Sequence, residues 1–126
     1  MEQQQPALVA AADLFNRERY LAAHEVLDDL WEATEGVSAD FYKGLIQASI
    51  CLHHYQEGNV DGARKLYSGH RRCLAGYLPA HGGVDVEGFL ASMQRSLMPL
   101  LRARPGEEPP FAECERPRIE FLEPDA

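Results

Sequence analysis

Apolar residues recur along this chain at intervals of three and four, the spacing of one face of an α-helix. Five stretches carry the pattern. The first, Pro6 to Phe15, places Leu8, Ala11, Ala12 and Phe15 in its stripe and a proline in its first turn, and Asn16 is expected to end it. The second, Tyr20 to Glu35, is the clearest. At about 100° per residue, Tyr20, Ala23, Leu27, Leu30, Trp31 and Thr34 share one arc, widened by Val26 and Ala33, with Glu25, Asp29 and Glu32 opposite. His24, Asp28 and Trp31 stand at i, i+4 and i+7 on the border, so they form one column.

Gly36 stops this stretch, and Ser38 is expected to cap the third, with Asp40 in its first turn. Phe41 to Glu57 is apolar almost all round, which predicts a central, buried helix. Its exceptions, Gln47, Cys51 and His54, fall on one line, with Gly44 one turn before. Gly58-Asn59 reads as a stop and a new N-cap. The fourth helix then runs to about Leu78 on a stripe of Ala63, Leu66, Tyr67, His70, Leu74 and Tyr77. Gly62, Gly69 and Gly76 recur in it every seven residues, which predicts close packing against a second subunit or the fifth helix. Asp85 should cap that fifth helix, Val86 to about Arg104, and Pro99 should kink or shorten it.

No strand pairing is expected. Residues 105–126 are proline-rich, and are expected as an extended strap anchored by Phe111, Ile119, Phe121 and Leu122 or as a disordered tail. The fold class is therefore all-α. A single compact domain, residues 1–104, should consist of about five helices in antiparallel hairpins, as a bundle or a short helical repeat, followed by the tail.

Composition narrows the function. With 126 residues, 45% hydrophobic and 25% charged, the chain suits one soluble domain. A net charge of −8 argues against nucleic acid, which needs a basic footprint. Arg64, Lys65, Arg71 and Arg72 make one basic stretch, expected as a solvated face or as facing the acidic second helix. No stretch approaches the length of a membrane span, and the opening residues do not read as a secretory leader. Three scattered cysteines, Cys51, Cys73 and Cys114, suit free thiols in a reducing cytoplasm.

Taken together, FNRERYLAAHEVLDDLW, GLIQASICLHHYQEGN and DGARKL resemble the domain-of-unknown-function 309 family, small all-helical bacterial and archaeal proteins. The resemblance covers about residues 13 to 80, and the PRIEF ending also fits. The family motif, HExxExxW, then GLIQ, a later histidine and GN..GA, matches here at His24, Glu25, Trp31, Gly44 to Gln47, His54, Gly58, Asn59, Gly62 and Ala63. Asp28 stands where the family usually has glutamate, and Glu18 where many members have glycine. The resemblance implies a helical fold and no established activity.

The His24-Glu25 pair invites comparison with zinc proteases, but their HExxH motif needs a histidine where this chain has Asp28. His24, Asp28 and His54 could together hold a divalent ion such as zinc, although no cofactor is expected. Glu25 points about 100° away from His24 on the helix and cannot readily join them. The preferred expectation is one buried polar network of His24, Asp28, Gln47 and His54 with Trp31 packed on it, the two histidines sharing a partner and Trp31 nearer Gln47. Cys51, in an apolar helix, is a poor nucleophile. Two functions follow: a non-catalytic interaction or structural module with a protein partner or a second copy, or a small metal-dependent or acid–base hydrolase using His24, Asp28 and His54.

Overall fold

The computed structural model describes residues 5–123. Five α-helices occur among them: α1 (Pro6–Asn16), α2 (Tyr20–Ala33), α3 (Ala39–Gln56), α4 (Val60–Leu74) and α5 (Val86–Arg102). Short connections make chain neighbours into spatial neighbours, so α1 packs on α2, α2 on α3, and α3 on α4. The third helix is central, as its all-round apolar pattern predicts, and Phe41, Leu45, Ile46, Ala48 and Leu52 are all buried. α5 closes the row from one side: the Phe89 ring lies 5.5 Å from that of Phe15 on α1 and 6.3 Å from that of His70 on α4.

Caps decide where the helices begin. The Gly62 N–H donates to Asn59 Oδ1 and the Gly88 N–H to Asp85 Oδ1, both at 3.0 Å. Ser38 does not cap α3. Its hydroxyl bonds His81 Nε2 at 2.8 Å, and its backbone is already helical. The ends also shift. α2 stops at Ala33, with Gly36 at φ 95° beyond it. α4 stops at Leu74, and a 3₁₀ turn over Ala75–Tyr77 leaves Gly76 and Tyr77 outside the helix. α5 passes through Pro99 to Arg102. The Arg64 guanidinium donates to the Leu100 carbonyl (3.0 Å) and the Ala103 carbonyl (3.4 Å), satisfying acceptors that a helix end leaves open.

A small hairpin corrects the expectation of no strands. β1 (Ala80–His81) pairs antiparallel with β2 (Val84–Asp85) across Gly82 and Gly83, at φ 58° and 81°. Positive φ at both central residues is what the tightest two-residue turns require. The proline-rich segment runs alongside as a strap. Asp85 N–H donates to the Glu120 carbonyl (2.9 Å), and Leu122 N–H to the Gly83 carbonyl (2.8 Å). Ile119 is buried, Phe111 packs against Tyr55 at 5.3 Å between ring centroids, and Leu122 is exposed.

Two residues of the first turn hold this strap. Asn16 exchanges two hydrogen bonds with the Ile119 backbone (2.9 and 2.8 Å). The left-handed position falls on Glu18, at φ 65°, and its carboxylate pairs with Arg116 at 2.6 Å. Residues 1–4 and 124–126, the outermost parts of the two expected segments, lie outside the described residues. Among the described residues no helix is long and apolar enough to cross a membrane.

Candidate functional site

The inner arc of α2 is narrower than its pattern. Tyr20, Ala23 and Leu27 are buried, Val26 and Leu30 half-buried, and Trp31 is 41% exposed. Trp31 is therefore not the packing element of a buried network. The column of His24, Asp28 and Trp31 runs along the outer border of the helix. His24 Nε2 lies 3.3 Å from Asp28 Oδ2, so the shorter arm of aspartate still reaches across one turn. His24 Nδ1 is turned inward, buried and without a partner among the described residues.

The polar line of α3 faces the other way. His54 Nδ1 accepts from Asn59 Nδ2 at 3.2 Å, the Cys51 thiol donates to the Ala63 carbonyl at 3.1 Å, and the Cys73 thiol lies 3.9 Å from Gln47 Oε1. All three partners belong to α4 or its cap. Small residues on both helices make this possible. A Cβ on Gly62 would touch the His54 ring at 3.0 Å, and one on Gly69 would overlap the Gln47 amide. One on Gly44 would lie 2.7 Å from Leu74 Cγ. Gly62 and Gly69 thus serve the α3–α4 contact, while among the described residues nothing lies within 4 Å of a Cβ on Gly76. This corrects the expectation that the glycine row serves a second subunit or α5.

The expected network is accordingly divided. His24 pairs with Asp28, His54 pairs with Asn59, and among the described residues they share no partner. Among the described residues no group of three His, Cys, Asp or Glu side chains is arranged to hold a metal ion, so His24, Asp28 and His54 are not assembled as a ligand set. The basic stretch does not face α2 either: Arg64 serves the end of α5, and Arg71 donates to the Leu90 carbonyl (3.3 Å).

Burial pushes the Cys51 thiol up to about 12, which removes it as a nucleophile at neutral pH. Burial also lowers the His70 imidazole from 6.5 to about 4, opposed in part by its hydrogen bond with the Tyr67 carbonyl and reinforced by Arg71.

Two further residues flank this column, exposed Leu21 on α2 and half-buried His53 on α3. Leu21 is 49% exposed, one turn before His24. His53, rather than His54, is the α3 histidine on the α2 side. With Leu21, Glu25, Glu18, Arg19 and Gln56 it lines an open cleft of about 370 Å³. The helical wheel contains the signal for Leu21, an apolar residue placed among the acidic positions. A second cleft, about 250 Å³ beneath the strap, holds Arg95, Arg116 and Arg118, each paired with a glutamate.

Residues 8–66 match the model of a family described as a domain of unknown function (DUF309). That span contains the whole α2 column, the polar line of α3, and the Asn59 and Gly62 contacts made with it. No curated protein matches the chain.

Proposed function

We propose that this DUF309 chain is a non-catalytic interaction module whose contact surface is the outer face of α2. The observation that carries this reading is the exposure of Leu21 (49%) and Trp31 (41%) at the two ends of the His24–Asp28 pair. Leu21 and Trp31 are two partly exposed apolar points on an otherwise acidic face, and spaced apolar anchors of this kind are how one helix docks on another. His24 Nε2 faces Asp28 on the same helix and its Nδ1 is buried, so the pair lies along the rim of this face.

The experiment is site-specific photo-crosslinking in cells. A photoreactive residue in place of Leu21 should capture a protein partner, and the same residue in place of Arg72 on α4 should not. Equal capture from both positions, or none from Leu21, would remove the reading. The alternative, a metal-dependent or acid–base hydrolase, draws on the same His24–Asp28 contact, since a carboxylate can orient a catalytic or ligating imidazole. Stoichiometric zinc binding lost in Asp28→Asn would favour it.

A further inference from the structure

We infer that the partner of the α2 face is a cationic amphipathic helix of another protein, laid along α2 with an apolar side chain at each end and lysines or arginines between. This rests on the interaction-module reading above. The face is acidic throughout. Between Arg19 and Lys43 the chain contains no lysine or arginine, whereas Glu25, Asp28, Asp29, Glu32 and Glu35 all occur there. Glu25, Asp29 and Glu32 are exposed, and the Asp28 side chain is 44% accessible although it contacts His24. At the Leu21 end, Arg19 before α2 and His53 on α3 stand beside Glu18 and Glu25 in the open cleft, and Lys43 of α3 is exposed.

The apolar points are placed to match. Leu21 and Trp31 are ten residues apart, about 15 Å along the axis at 1.5 Å per residue. A partner helix would present its own apolar residues at that span on one face, with charged residues between. The open cleft beside Leu21, lined also by Glu18 and Glu25, gives a partner's basic side chain a place next to the apolar end. A second copy of this chain fits less well. Of its own basic stretch, Arg64 and Arg71 are committed to backbone carbonyls of α5, which leaves only Lys65 and Arg72 of the four exposed.

The test uses a short Lys/Leu amphipathic peptide and its Glu/Leu counterpart with the same apolar spacing. The chain has one tryptophan, so the emission of Trp31 reports on this face alone. The Lys/Leu peptide should shift that emission to the blue saturably and bind more weakly as salt rises. Asp28→Asn with Glu32→Gln should weaken binding about tenfold, as expected for two lost charge contacts. Leu21→Ala should also weaken it. Glu107→Gln with Glu108→Gln, two exposed carboxylates of the strap, should change little.

Equal binding of the Glu/Leu peptide, an equal loss from the strap variant, or an unmoved Trp31 emission would overturn the inference. So would a dimer in sedimentation that Leu21→Ala dissolves, since the occupant would then be a second copy. If the peptide fails while crosslinking from Leu21 still captures a protein, the cationic partner falls and the interaction module stands. Failure of both removes both.

Discussion

The two helices that flank α3 carry the same kind of sequence and meet opposite fates. α4 presents Gly62, Ala63 and Gly69 to α3, and with its cap it receives the side chains of Gln47, Cys51 and His54. α2 presents Tyr20, Ala23 and Leu27 inward and leaves His24, Asp28 and Trp31 along the outer edge. The difference lies in side-chain volume. Glycine and alanine let two backbones approach until polar groups meet across the interface, whereas tyrosine and leucine fill the space with their own bulk. Where a motif histidine ends up therefore depends on what its neighbours on the same helix leave room for. Both histidines are half-buried, but one turns to the cap of α4 and the other to a carboxylate of its own helix.

Three measurements can break or sharpen this contrast. The largest effect is expected on the tight side. Gly44→Leu places a side chain against buried Leu74, and should cost about 3 kcal/mol or more in urea-induced unfolding. A loss below about 1 kcal/mol would mean that the α3–α4 approach is not limiting.

The next effect comes from His70, on α4. Its folded pKa, about 4, lies below the unfolded 6.5, so the unfolded chain binds the proton more readily. Stability from this group is fully present above pH 6.5 and declines as pH falls toward 4. Between pH 7.5 and 4.5 the decline should be about 2–3 kcal/mol greater than in His70→Leu. Parallel pH profiles of the two proteins would show that His70 is solvated.

The smallest effect is expected on the open side. Trp31→Ala should lower stability by about 1 kcal/mol or less, because the ring is only partly covered. A loss several times larger would make Trp31 a core residue and end the contrast between the two flanks.

Much of this architecture was legible in the chain because it rests on local rules. Helical periodicity located the five helices, and the nearly all-round apolar character of Phe41 to Glu57 placed α3 at the centre. Glycine at positive φ after α2 and α3, and the caps at Asn59 and Asp85, follow from backbone sterics and unsatisfied amide groups within a few residues. The Gly82-Gly83 turn was equally local and could have been read from the pair of glycines.

What only the tertiary structure decided is which helix each polar residue meets. The line Gln47, Cys51 and His54 is visible in the sequence, but a central helix has neighbours on both flanks, and periodicity cannot say which flank the line faces. The close α3–α4 packing directed it to α4 and separated His54 from His24, and Trp31 stayed partly exposed. Glu18 shows the same limit. A glutamate at φ 65° is unfavourable locally, and its ion pair with Arg116 forms only once the strap has returned across the fold. Local sterics and periodicity act over a few residues, whereas the partner of a buried or bridging side chain is set by contacts that exist only after the helices have packed.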